Sequence, residues 1–375
     1  MSSEKPSQTA KRDSSQVSDF RDALFAHLKR SVPQVVALAL GLAVSAVLVI
    51  AFGFNPVTLF GGVIYYALAT PSGQSSVLTY AGIYTLTALA FLIPGRAGIW
   101  NVGANGQIYF GGIAAAIVVT FVPLPPLIWP LAAVAVAILA GAAWGFVPGA
   151  LEAYRNASAI VTTIMLNYVA NAITSLLIFT VVALKFRSIS LTNFATIPTD
   201  AMIPTLPYFT TSIMVVLAVL IAGGTMYFLY RTTLGYNIRA TGLGKDPAEA
   251  KGINPRTTQV IAMMIGGGLA GLVGAGDVLG AGHACGPGAC VFIEWVEGWF
   301  GGEGFAGIAV ALVAANNPVG AVFSAFFFAI LVAGGSTIPG TGEYLFWAIQ
   351  AIIIIFMAAP YLSTLLRRWS GRKWT

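Results

Sequence analysis

The sequence predicts an all-α polytopic membrane protein with about ten transmembrane helices, inverted repeats, and both termini on the cytoplasmic side. Three observations carry that prediction. Of 375 residues, 57% are hydrophobic and only 9% are charged, against about 25% charged in a soluble domain. Apolar stretches of roughly 20 residues, enough to cross a bilayer as helix, recur along most of the chain. The cations then fall almost wholly on one side of the spans so defined. Little mass is left outside the membrane, which excludes a large catalytic domain, a nucleic-acid surface and a disordered chain.

In chain order the clear stretches are Val35–Phe52, Val77–Ile93, Leu127–Val147, Ala159–Leu184, Thr211–Tyr230, Val260–Leu279 and Leu345–Ala359. Gln107–Val122, Gly304–Ala315 and Val319–Ala333 are shorter or rich in glycine and complete the set of ten. Pro56–Ala69 is apolar but brief, bounded by Asn55-Pro56 and Pro71-Ser-Gly73, and reads as an interfacial or re-entrant helix.

Lys and Arg gather in the short cytoplasmic loops of membrane proteins. With the N-terminus inside, 17 of the 19 cations lie on the inner side, and only Lys185 and Arg187 lie outside. The +6 net charge therefore reports orientation, not affinity for nucleic acid. Residues 1–16 are polar and mixed in charge, unlike a cleavable secretory leader. Val17, Phe20, Leu24 and Leu28 recur at helical spacing beside Arg21, Lys29 and Arg30, as in a helix lying on the lipid surface. The chain divides into a cytoplasmic N-terminal segment (1–31), a membrane domain (32–360) with a long inner loop (231–257), and a basic cytoplasmic tail (361–375).

Within the long loop, Asp246 can cap a short helix that has Pro247 at its first position. Ala248-Glu249-Ala250-Lys251 favours helix, and Gly252 can end it in the left-handed region. Such a knob between glycine hinges suits docking into a groove of a soluble partner; an ordinary connector fits the same composition.

Polar groups at membrane depth need protein or water partners. Asn101, Asn105 and Gln107 sit in a glycine-rich break and carry amides that both donate and accept hydrogen bonds. Thr163, Asn167 and Asn171 lie four apart, on one face of a helix. These six either line a path for a neutral polar solute or fasten helices together. Residues 103–116 and 301–311 echo each other in glycine rhythm, which fits inverted repeats. Gly266–Gly274 carries the small-residue spacing of tight helix contacts. Cys285 and Cys290 flank Gly-Pro-Gly in an outer segment and allow a disulfide, free thiols, or with His283 part of a metal site. A structural zinc normally needs four ligands, so no metal is assigned.

Four blocks, in order, carry a resemblance. Residues 235–253 show G-x-x-x-R-A-x-G followed by A-E-x-x-G-I; Pro94–Gln107 shows R-A-G-x-x-N-x-G-x-x-G-Q; Ala159–Tyr168 shows A-I-V-T-T-I-M-L-N-Y; and Gly304–Pro318 shows G-F-x-G-I-A-V-A-L with N-N-P. Together they resemble permease subunits of ABC importers, in the simple-sugar and nucleoside branch of the branched-chain amino acid permease-like family. The chain departs from that pattern at Asn105, where the nucleoside branch more often has glutamate, at Ala159, which replaces an acidic residue, and in the insert His283–Glu297.

The resemblance implies a multi-pass subunit of the cell membrane with no catalytic residues and no cofactor of its own. No G-x-x-x-x-G-K-[ST] loop occurs, so ATP and Mg would be held by a separate ATP-binding subunit. Asp246, Pro247, Ala248, Glu249, Ala250 and Gly252 would be the coupling helix that meets it. Further implied partners are a second permease chain, identical or paralogous, an extracytoplasmic substrate-binding protein and membrane lipid. The expected cargo is a nucleoside or related neutral polar solute. The rivals are a simple sugar such as ribose and, from another class, an ion-coupled secondary transporter using Asp277.

Overall fold

The computed structural model describes residues 36–126, 128–177, 196–280, 284–286, 289–291, 302–335, 345–346 and 348–356. The surface helix expected in residues 17–30, Lys185, Arg187 and the basic tail lie outside the described residues. Among those described, seven helices are long and apolar enough to cross a membrane, or eight with one bent pair counted as a span.

The bent pair comes first. Helix α1 (Val36–Ala51) and helix α2 (Pro56–Ala69) meet at 111°. Gly53, at φ +83°, turns the chain, and Asn55 then caps α2 by accepting from Val57 N–H at 2.9 Å, with Pro56 at the first helical position. The same device starts helix α3 (Pro71–Arg96): Thr70 Oγ1 accepts from Gly73 N–H at 3.0 Å and Pro71 follows. Proline at that position loses nothing, because its missing N–H would be unpaired anyway. The brief apolar stretch 56–69 is thus a separate helix, turned sharply from the one before it.

Helix α4 spans Ala104–Phe121, α5 Ile128–Arg155 and α6 Ala159–Leu177. At the α5–α6 turn Asn156 takes a left-handed φ of +54°, and Glu152 accepts from Ala159 N–H at 2.6 Å to cap α6. Helix α7 is Met214–Arg231, α8 Thr233–Leu243, α9 Lys245–Glu249 and α10 Pro255–Leu279. Helix α11 is Glu303–Val313, α12 Pro318–Gly335, and α13 covers 348–356. Strands β1 (Thr196–Pro198), β2 (Ala284–Gly286) and β3 (Ala289–Val291) form a small antiparallel sheet in the order β1-β3-β2. With an isolated antiparallel bridge between Thr205 and Ser212, it departs from the all-helical fold.

Helix α3 is the central post and touches α2, α4, α7, α8, α10, α11 and α12. It has almost no amphipathic bias because it is covered all round, from Leu86 through Pro94. Helix α10 runs antiparallel to it, with Gln259 level with Ala97 and Gly266 against Ala90.

Glycine sets the distance between α5 and α10. Gly141 faces Gly267 and Gly271, and Gly145 faces Met263, backbone to backbone. A Cβ on Gly145 would stand 2.6 Å from Met263 O, closer than van der Waals contact allows. The small-residue spacing of 266–274 is therefore a packing seam within the chain. The stretch read as a span at Gly304–Ala315 is instead an 11-residue helix, roughly 16 Å long at 1.5 Å per residue, half the hydrocarbon thickness. Of the last stretch, Leu345–Ala359, the described residues 345–346 and 348–356 are helical.

Gly271→Val should push α5 and α10 apart at a cost of about 3 kcal/mol. The expected result is a lower melting temperature and aggregation in detergent. Gly224→Val, where no atom lies within 4 Å of an added Cβ, should leave both unchanged.

Candidate functional site

Two polar regions stand out from the apolar bundle: a break after α3, and the loop between α7 and α10. The break begins with Pro94. Proline has no N–H to give to the carbonyl four residues earlier, so Ala90 O loses its helical partner in the middle of the protein. Asn101 Nδ2 replaces it at 3.1 Å. The chain reaches that point because α3 ends at Arg96, with Ala97 as its C-cap, and Gly98 reverses direction at φ +80°. Asn101 and Gln107 then pair amide to amide, at 2.9 and 3.1 Å, and both are fully buried.

The next helix has glycine, Gly103, at its N-cap and no side-chain cap of its own. Its cap comes from α6: Asn167 Oδ1 accepts from Gly106 N–H at 2.8 Å, and Asn167 Nδ2 donates to Val102 O at 3.1 Å. Helix α11 repeats the arrangement. Its N-cap is Gly302, at φ +99° and again without a side-chain cap. Asn105 of α4 accepts from Gly304 N–H at 2.8 Å. The two stretches that echo each other in sequence thus start at one point.

From there they run opposite ways. Gly307 abuts Thr87 and Asn316 O receives Arg96, so α11 follows α3 toward its C-terminal end. Helix α4 instead shares its Ala115 and Val119 with the C-terminal Val278 and Leu279 of antiparallel α10.

Five of the six side chains expected along a path are therefore brought together: Asn101, Asn105, Gln107, Thr163 and Asn167, all buried. Thr163 packs against Gly103 and donates to Ala159 O. Asn171, one turn beyond Asn167, stays half-exposed. Elsewhere Asp277 lines a small cavity with Thr79, Thr211 and Ser212, where Thr79 Oγ1 and Thr211 Oγ1 are 2.7 Å apart.

The second region is the loop. Thr232 caps α8 by accepting from Gly235 N–H at 3.1 Å. Arg239 ties α8 back to α7, donating from Nε to Leu229 O at 2.9 Å with its guanidinium 4.7 Å above the Tyr230 ring. Helix α9 starts two residues earlier than the sequence implies: Gly244 is the N-cap and Asp246 stands in the first turn instead of capping it. Its end is as expected, with Gly252 at φ +79° and Ile253 N–H closing onto Ala248 O at 3.1 Å.

Asp246, Pro247, Glu249, Ala250 and Gly252 are exposed, while Ala248 turns inward and anchors the knob. Sequence reasoning passed over Leu243, which is 91% exposed beside this knob. The signal was there in a leucine flanked by Gly242 and Gly244 in a polar loop. The backbone register sets Cys285 opposite Cys290 in the β2–β3 hairpin; their side chains lie outside the described residues.

An apolar bundle of helices long enough to cross a membrane, broken and capped from their neighbours, defines a multi-pass membrane protein. Residues 73–358 match the family described as branched-chain amino acid transport system / permease component, and the chain belongs to that family.

The chain is 30% identical over 340 residues to the guanosine ABC transporter permease protein NupP of Bacillus subtilis, covering 87% of this chain and 92% of that protein. It is 29% identical over 341 residues to the nucleoside ABC transporter permease protein NupB of Lactococcus lactis, covering 88% and 90%. A third relative is the glucose ABC transporter permease protein TsgB13 of Haloferax volcanii, 30% identical over 354 residues, with 90% of each chain covered.

Replacing Asn105 by Leu would strand the Gly304 N–H away from water, a loss of about 1–3 kcal/mol. Thermal unfolding in detergent should show it, and Asn105→Asp, which keeps an acceptor, should lose less.

Proposed function

We propose that this chain is the membrane subunit of an ABC importer that carries nucleosides or related neutral polar solutes by ATP-driven alternating access. The observation that carries the reading is the α9 knob, exposed on five residues and anchored by Ala248, in a chain 30% identical to a guanosine permease. Asp246, Pro247, Glu249, Ala250 and Gly252 meet a separate ATP-binding subunit, which holds ATP and Mg. Ala248 keeps that face presented. A second permease chain completes the path, and an extracytoplasmic binding protein delivers the solute.

In this reading the chain crosses the cell membrane many times, with both termini inside. Asn171 touches solute, while Asn101, Asn105, Gln107, Thr163 and Asn167 hold the broken helices that frame the path. Amides suit such a solute because they recognise hydroxyls and heterocycles without asking for a charge. The glucose permease among the relatives favours a simple sugar as the second reading.

Uptake of labelled guanosine, uridine, ribose and glucose by the reconstituted transporter separates the two. Nucleoside uptake that needs ATP and survives an ionophore is expected; uptake that follows an ion gradient without ATP would overturn the class. Glu249→Arg and Gly252→Leu should cut uptake at least tenfold while ATP hydrolysis falls much less, and unchanged coupled uptake would remove α9 from the coupling role. Single cysteines near Met1 and Thr375 should react with an impermeant maleimide only after the cells are opened.

A further inference from the structure

Arg96 ends α3 and reaches across to the turn between α11 and α12, where its Nη2 donates to Asn316 O at 2.6 Å. That turn is strained. Ala315 and Asn316 both stand in the left-handed region, at φ +50° and +55°, which costs an L-residue energy and is rarely taken twice in succession. Arg96 and Asn316 also carry one unused donor and one unused acceptor. Arg96 Nε and Asn316 Oδ1 are buried and have no protein partner among the described residues. A buried polar atom left unpaired calls for an explanation.

The surroundings connect this clamp to the knob. Gly242, two residues before the Gly244 that caps α9, lies against the carbonyl of Arg96, closer than any side chain would permit. On the other flank of the knob, Gln259 of α10 donates to Ala97 O at 3.3 Å. Thr241 Oγ1 and Gln259 Oε1 are again buried without a protein partner among the described residues. A displacement of the α8–α9 loop therefore meets the 96–98 turn on both sides. From that turn the chain leads on one hand to Asn101 and the amide break, and on the other through Arg96 to the α11–α12 turn.

We propose that Arg96 is a positioning residue for coupled transport, a latch with two seats. In the seat seen here its Nη2 holds the Asn316 carbonyl and keeps the turn strained. In the other its Nε pairs with Asn316 Oδ1, and the turn relaxes as the loop moves. Gly242 is the bearing surface that lets the loop press on the latch. The inference rests on the reading of α9 as the element that meets the ATPase.

The test is hydrogen exchange by mass spectrometry on the full transporter, purified with its own ATP-binding subunits and trapped with ATP and vanadate. In the wild type, exchange should change together at 243–253, 96–103 and 314–318. Arg96→Gln should keep the first two changes and lose the third, with uptake per ATP falling at least fivefold. Arg96→Lys, which keeps a donor, should restore part of both. A change at 243–253 with none at 96–103 or 314–318 in the wild type overturns the latch but not the docking of α9. No change at 243–253 in a trapped complex overturns the docking reading itself.

Should Arg96→Gln fail to assemble, Ala315→Gly decides. It removes the strain without touching the clamp, so it should favour the seat seen here and lower uptake per ATP two- to fivefold. An unaltered ratio counts against the latch.

Discussion

A backbone N–H or C=O inside a bilayer has no water to turn to, and much of this structure follows from how that constraint is met where helices break. Pro94 removes a donor from the central helix, and Asn101 supplies one to the carbonyl left behind. Helices α4 and α11 start on glycines that cannot cap them, and Asn167 and Asn105 do so from other helices. Three amides thus allow the chain to interrupt its helices mid-bundle. Without those interruptions α3, α4 and α11 would be plain spans, and no irregular backbone would exist for a polar solute to approach.

The breaks and the knob belong to one mechanical unit. Helix α3 carries the contacts of both: its far half touches α11 and the amide block, and its end receives Gly242 and Gln259 from the two sides of the loop. The glycine seam between α5 and α10 stiffens the other wall of α10, since backbones in direct contact can slide or separate but hardly compress. Helices α5 and α6, by contrast, bury only 22% and 17% of their apolar windows. They leave wide faces, with Leu139, Tyr168 and Leu176 exposed, to lipid or to another membrane chain.

Much of this was readable in the sequence where the signal is local. The limits of α2 fall where Asn55-Pro56 and Thr70-Pro71 put them, and Gly252 ends α9 in the conformation glycine permits. Hydropathy did not mark α11 as short, because a window that measures apolarity does not tell an 11-residue helix from one long enough to cross. The start of α9 was misread because Asp246 is a good cap by composition, but Gly244 lets the helix begin sooner. The caps on α4 and α11 were out of reach for a plainer reason: their partners lie 61 and 199 residues away. The six polar residues stand out in the sequence because amides and hydroxyls are rare at membrane depth, yet nothing local says that five of them meet while Asn171 stands apart.

The order in which the chain is made gives those borrowed caps a further meaning. Helix α4 enters the membrane before the asparagine at 167 has been synthesised, and α11 is the last of the three to arrive. The first turn of α4 can therefore close only after α6 has come in beside it, and α11 can seat its own first turn only against an α4 already in place. Biogenesis of this bundle is thus a sequence of dependent steps rather than a series of independent insertions. A defect at either asparagine falls on assembly in the translocon before it falls on the finished protein.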